Sequence, residues 1–256
     1  MIAAINLSKS YGAQPLFEDV SFSVNAGERV GLVGRNGHGK TTLLRIIIGE
    51  EQTDGGEIAV PRNYRVGYVS QHLMFAEETV LAEACRGLPE HAHGETWMAE
   101  KILSGLGFAR RDMARPWREF SGGYQVRLNL ARTLASEPNL LLLDEPTNYL
   151  DMDSSDALMA AVDEFEGAVV MVTHNEMFLH TLANRFVVFQ AGGVSVFEGS
   201  YQSFLDTVGW EDERAGSAGS AGSGARRGER QGGARNARRN RFPGDEGDRA
   251  VEKEDG

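Results

Sequence analysis

The sequence predicts an α/β fold: a mostly parallel β-sheet with a phosphate-binding loop, an antiparallel β subdomain and a small helical subdomain. Three segments carry the parallel, phosphate-binding core of that prediction; the two subdomains are what the chain's family resemblance implies. The first, Gly34-Arg35-Asn36-Gly37-His38-Gly39-Lys40-Thr41-Thr42, fits the pattern G-x-x-x-x-G-K-[ST] and follows the apolar run Val30-Gly31-Leu32-Val33. The second, Asn139-Leu140-Leu141-Leu142-Leu143-Asp144-Glu145, is a short apolar run ending in two carboxylates. Such a run reads as a strand buried on both faces of a parallel sheet. The third, Phe120-Ser121-Gly122-Gly123-Tyr124-Gln125, leads into a stretch with Val126, Leu130 and Leu134 on one helical face. Ser121 is a good N-cap there, and the two glycines leave the helix end bare.

The elements follow in order. Strands near Ile2–Leu7 and Phe17–Val24 make the antiparallel sheet. Arg29–Val33 enters the parallel core and ends at the phosphate-binding loop. A helix begins near Lys40, runs through Thr42–Ile48 and stops at Gly49, a C-cap glycine. Helices around Thr79–Gly87 and Glu95–Leu106 fall in a helical subdomain of about residues 74–136. Leu140–Leu143 and Val169–Thr173 return to the parallel core. A late hairpin, Phe186–Phe189 and Val194–Phe197, turns at Ala191-Gly192-Gly193.

The glycines let the loop wrap so that backbone N–H groups meet phosphates, and the following helix adds a partial positive charge at the same place. Lys40 is placed to reach the β- and γ-phosphates, and the Thr41 hydroxyl to ligate Mg²⁺. Asp144 is suited to the Mg²⁺ shell and Glu145 to polarise an attacking water. A helix start as bare as the one after Ser121 invites an anion.

In this order along the chain, the motifs resemble the ATP-binding cassette family, over nearly all of residues 1–205. The resemblance implies ATP as substrate and Mg²⁺ as cofactor. It implies that Gly34, Asn36, Gly37, Gly39, Lys40, Thr41 and Thr42 cradle the phosphates, and that Tyr11 stacks on adenine. Gln71 is implied to touch Mg²⁺ and the attacking water, and His174 to contact the γ-phosphate beside the catalytic Glu145. Read alone, Tyr11 is a turn tyrosine and His174 a histidine after a strand. Ser121, Gly122 and Gly123 are implied to complete the phosphate site of a facing cassette, and Asp151 to lie in the loop that meets it. Hydrolysis then needs a second cassette, a second copy or another chain. Every catalytic position carries a competent residue type.

Within the family, Asp144-Glu145-Pro146-Thr147-Asn148-Tyr149-Leu150-Asp151 resembles the DEPTN-x-LD string of the ABC-F branch, which acts on ribosomes. Tyr124-Gln125-Val126-Arg127-Leu128-Asn129-Leu130-Ala131 is similar to ABC-F signature helices, and Val196–Leu205 to the segment that closes such cassettes. Three features depart. Asn175 and Glu176 stand where Asp and Arg are common. The interval from Gln71 to Ser121 has no room for a long helical arm. A typical ABC-F chain has two cassettes joined by a charged helical linker; here one cassette spans 1–210 and a Gly/Ser/Arg-rich tail follows at 211–256.

The 256 residues carry a net charge of −11, which argues against strong ribosome binding by the cassette alone. No apolar run approaches the ~20 residues of a membrane span. The N-terminus lacks the pattern of a signal peptide. The single Cys85 excludes an internal disulfide, and together these favour the cytoplasm. The tail's Ala215–Gly224 run reads as disordered. Its block of Arg226, Arg227, Arg230, Arg235, Arg238, Arg239 and Arg241 reads as solvated tail or as an electrostatic RNA contact. The abrupt end of the resemblance near residue 213 is also what a frameshifted GC-rich linker looks like. Two rivals to a translation-associated ATPase stay open: the ATPase subunit of a membrane transporter, and a nucleotide-binding interaction protein without turnover.

Overall fold

The computed structural model describes residues 1–92, 94–148, 150–190 and 193–209. Ala191 and Gly192 of the predicted turn, Tyr149, and the whole predicted tail lie outside the described residues. Strand β1 (Ile2–Tyr11) is the middle of a three-stranded antiparallel sheet, flanked by β2 (Gln14–Val24) and β4 (Gly55–Ala59). Inward residues Ile2 and Ala4 alternate as a half-buried strand should. The alternation then slips at Asn6, which takes a φ of 51°, and resumes with Leu7 and Lys9 facing in. Both long strands exceed the predicted spans, so Tyr11 ends a strand rather than sitting in a turn.

The larger sheet has six strands in the order β5-β6-β7-β3-β8-β9. These are β3 (Arg29–Gly34), β5 (Val66–Val69), β6 (Leu140–Asp144), β7 (Ala168–Val172), β8 (Arg185–Gln190) and β9 (Gly193–Glu198). All pairs are parallel except the β8–β9 hairpin. The apolar run in β6 alternates between two cores. Leu140 and Leu142 pack with the antiparallel sheet and with helix α1 (Lys40–Ile47). Leu141 and Leu143 pack on the other face, beneath α4 (Gly122–Ala135), α5 (Met152–Asp163), α6 (Glu176–Leu182) and α7 (Tyr201–Thr207). Each such leucine, fully buried, stabilises the fold by about 1.5–3 kcal/mol.

The helices between β5 and β6 are α2 (Val80–Cys85), α3 (Thr96–Gly105) and α4, shorter at the first two than the predicted spans. The predicted stripe on α4 is corrected. Val126 and Leu134 are only partly buried, while Arg127, Leu128, Asn129, Leu130 and Ala131 are all buried, so the helix is enclosed over most of its girth. Ser121 stands at the N-cap of α4, but its side chain makes no capping hydrogen bond. Asn175, one of the departures from the family pattern, caps α6: its Oδ1 accepts the Met177 and Phe178 amides at 3.0 and 3.4 Å.

Candidate functional site

The carboxyl ends of β3, β6 and β7 and the start of α1 converge, which is where open parallel sheets leave a crevice. A cavity of about 470 Å³ opens there. Tyr11, Asn36, Gly37, Gly39, Lys40, Thr41, Thr42, Gln71, Glu145 and His174 all line it, so ten of the predicted site residues meet on one wall. Gly34 lines an adjoining cavity that shares Lys40 and His174. Gly39, the residue before α1, has a φ of 92°, and a Cβ on it would lie 3.0 Å from the Phe17 ring. Only glycine takes that conformation at no cost and fits beneath β2.

Lys40 is buried. Its Nζ donates to the carbonyls of Gly34 and Arg35 at 2.7 and 2.9 Å, so the side chain folds back along its own loop. Burial pushes its ammonium below the ordinary lysine value, opposed by the charges of Glu145 and Asp144. The positive end of α1 and this cation make the wall attractive to an anion. Asp144 does not line the cavity; it is buried just behind it. Its Oδ1 accepts the Thr41 hydroxyl at 3.0 Å and its Oδ2 accepts the Tyr68 hydroxyl at 3.0 Å. Burial, then the Asp144 charge, pushes the Tyr68 phenol up, so it stays a donor.

Glu145 turns the chain sharply after β6. It holds a φ of 50°, costly for a residue with a side chain, and its amide donates to the Val172 carbonyl at 2.8 Å. One carboxylate oxygen, Oε1, lies 3.2 Å from His174 Nε2, which is also 2.9 Å from Asn36 Oδ1. The other, Oε2, is buried without a hydrogen-bond partner. Thr147 and Thr173 join their hydroxyls at 2.8 Å and tie the ends of β6 and β7 together.

Among the described residues no cluster of three His, Cys, Asp or Glu could hold a metal ion unaided. The Thr41 hydroxyl beside the Asp144 carboxylate, with Gln71 on the same wall, is nevertheless an all-oxygen set. It suits Mg²⁺, which binds through few protein ligands plus substrate phosphates and water.

Ser121, Gly122, Gly123 and Asp151 are not on this wall. They lie together elsewhere, at the starts of α4 and α5. Asp151 caps α5 by accepting the Ser154 amide at 2.7 Å, and a Cβ on Gly123 would sit 2.2 Å from Ser154 Oγ. The buried Arg127 donates to Ser154 Oγ at 3.0 Å and joins the two turns. Sequence reasoning missed four contributors. Asn148, Leu16 and Val172 line the cavity, and Tyr68 holds Asp144. Asn148 stood inside the acidic string already singled out; Tyr68 had no signal without the β5–β6 pairing.

The family model described as ABC transporter matches residues 17–148, just over half of the chain. The chain is 36% identical over 211 residues to the "Uncharacterized ABC transporter ATP-binding protein YfmR" of Bacillus subtilis (strain 168), covering 80% of this chain and 34% of that one. It is 39% identical over 203 residues to the "Energy-dependent translational throttle protein EttA" of Escherichia coli (strain K12), covering 78% and 37%. The chain thus spans about a third of the length of these relatives. A solved structure titled "Structure of ATP binding subunit of ABC transporter" superimposes with a TM-score of 0.70 at 25% identity, covering 85% of this chain and 98% of that one.

Proposed function

The chain belongs to the ABC transporter family of ATP-binding cassettes, and from that premise we propose that it binds ATP with Mg²⁺ and hydrolyses it at a site completed by a second cassette. The observation that carries the reading is the Glu145 carboxylate. It is bent into the wall that holds Lys40 and Thr41, with one oxygen buried and unpartnered. An acceptor left bare there is costly unless a ligand supplies a proton donor, and an attacking water is such a donor. Lys40 exchanges the carbonyls of Gly34 and Arg35 for phosphate oxygens. Thr41, Asp144 and Gln71 would hold Mg²⁺, which neutralises phosphate charge when bound. Glu145 takes the proton of the attacking water, and His174, held by Asn36, faces the same oxygens. Tyr11 presents its ring to the base. Ser121, Gly122, Gly123 and Asp151 serve the facing cassette.

The finer reading places the protein in the ABC-F branch, acting in translation from the cytoplasm. It is supported by the DEPTN-x-LD string and by the translational name of the relative that is 39% identical. No helix among the described residues is long and apolar enough to cross a membrane.

The test is Glu145→Gln. Steady-state hydrolysis should fall by roughly 10²–10⁴-fold, the usual worth of a general base, while ATP binding survives. Retained turnover removes Glu145 from the role. Co-sedimentation of this variant with ribosomes in ATP and Mg²⁺ checks the branch; its absence, with ATP bound, leaves the transporter subunit as the better reading.

A further inference from the structure

The phosphate end of the cavity is accounted for by the loop, but the base end rests on one ring, Tyr11, and that ring has a neighbour with no assigned role. Lys9 is only 8% exposed. It lies two residues before Tyr11 at the end of β1; the Lys9 side chain is buried while Tyr11 is exposed.

Lys9 is held firmly. Its Nζ donates to the Gln52 carbonyl at 2.7 Å and lies 2.9 Å from Glu51 Oε1 and 3.7 Å from Asp54 Oδ1. Asp54 Oδ2 accepts both the amide and the hydroxyl of Ser10 at 2.7 Å, which closes the 51–54 segment onto β1. The Lys9 ammonium and, to a smaller degree, the Tyr11 hydroxyl hold the Glu51 carboxyl below the usual range. From this anchored position Nζ stands 5.3 Å from the centroid of the Tyr11 ring. Tyr11 lines the cavity and Lys9 does not, so the ring and not the ammonium meets a ligand.

We propose that Lys9 is the positioning and specificity residue for the nucleobase: it fixes the Tyr11 ring from beneath and polarises it toward a purine stacked on its cavity side. A cation near one face draws π-density from the ring, which strengthens stacking by an electron-rich base on the other. The inference rests on the reading that the cavity holds ATP with its base on Tyr11.

The experiment measures binding of ATP, CTP and inorganic tripolyphosphate to the full chain by calorimetry, for wild type, Tyr11→Ala, Lys9→Met and Lys9→Arg. Wild type should prefer ATP to CTP and to tripolyphosphate, and Tyr11→Ala should lose that preference. Lys9→Met should weaken ATP roughly three- to tenfold and leave tripolyphosphate unchanged, the size of a partly desolvated cation–π contact. Lys9→Arg should restore the preference. Lys9→Gln keeps an N–H donor for Gln52 and drops the charge, so it answers the question if Lys9→Met does not fold. Equal losses for ATP and tripolyphosphate overturn the proposal, because a clamp alone would disturb the whole site. So does an unchanged ATP preference in Lys9→Met when Tyr11→Ala has lost it; the stacking reading then stands without Lys9. If Tyr11→Ala keeps the preference, stacking itself fails and the proposal with it. If wild type binds neither ATP nor tripolyphosphate, the nucleotide reading fails first and takes the proposal with it.

Discussion

Lys40 spends its donors on two carbonyls of its own loop while two carboxylates pull on its charge from across the wall. That makes it a poised cation, held where a phosphate can displace the carbonyls. Lys40→Ala should therefore weaken ATP binding by about 2–5 kcal/mol, the loss expected for one member of a desolvated charge pair. Titration calorimetry checks it, and near-normal affinity would contradict the assignment of the loop. At this scale the sequence was most informative where the chemistry is local. The nine residues from Gly34 to Thr42 form one turn of chain, and their spacing alone specifies it. Contacts that depend on which strands are neighbours were not legible. Tyr68 reaches Asp144 because β5 pairs with β6, with Tyr68 beside Leu142. Asn36 reaches His174 because β3 pairs with β7. Nothing in either local sequence encodes those pairings.

At the scale of elements, two junctions stand out. The first is the segment that follows Gln71. Glu83 on α2 is fully buried, and its Oε2 accepts the amides of Ala76 and Glu77 at 2.9 and 2.8 Å. Its Oε1 accepts Arg132 of α4 at 2.6 Å and Arg86 at 3.3 Å. Burial pushes the Glu83 carboxyl up, but the two amides and Arg132 outweigh it and hold the group below its ordinary value. A carboxyl lowered in the folded state contributes stability that is full above its unfolded value and is lost as pH falls through the folded one. Glu83→Gln should cost about 1.5–3 kcal/mol at neutral pH, since it removes the charge from a buried group that accepts two amides and a partly buried Arg132. The gap from wild type should shrink on acidification below the ordinary carboxylate range. Urea unfolding at several pH values measures both; a gap independent of pH would show that the charge is not what holds the segment. The second junction is the close approach of α4 to α5. Gly123→Ala should destabilise by about 1–3 kcal/mol, because its Cβ would collide with the buried Ser154. Gly122 faces open space, so Gly122→Ala should be neutral or slightly stabilising. Equal effects of the two in thermal unfolding would deny the packing role. The small sheet shows why elements escape a sequence reading. β4 is Gly55-Gly56-Glu57-Ile58-Ala59, poor in strand formers, and is a strand because β1 offers it an edge.

At the scale of the molecule, the predicted site residues fall into two groups that do not share a cavity. The phosphate loop, Gln71, Glu145 and His174 form one wall. Ser121 and Asp151 are exposed, and the fourteen-residue α4 begins without a side-chain cap. An open helix end of that length attracts anions, yet its own chain's cavity is not built around it. A two-fold pair of copies of this chain would account for this, each offering its α4 start to the other's cavity. Ser121→Arg should then leave ATP binding by the isolated chain intact and abolish turnover, because the side chain obstructs the helix N-terminus that must meet the partner's γ-phosphate. The sharper expectation comes from mixing. Lys40→Ala and Ser121→Arg chains should each be inactive alone, since every site in either homodimer lacks one half. A mixed dimer pairs the sound phosphate loop of one chain with the sound Ser121 turn of the other, and so holds one intact site. Combined in equal amounts, the two variants should recover roughly a quarter of wild-type hydrolysis per chain, because half of randomly paired dimers are mixed and each carries one working site of two. Turnover that survives in Ser121→Arg alone would mean that Ser121 does not complete the site. No recovery on mixing, with both variants folded and Ser121→Arg still binding ATP, would mean that the facing cassette is a different chain.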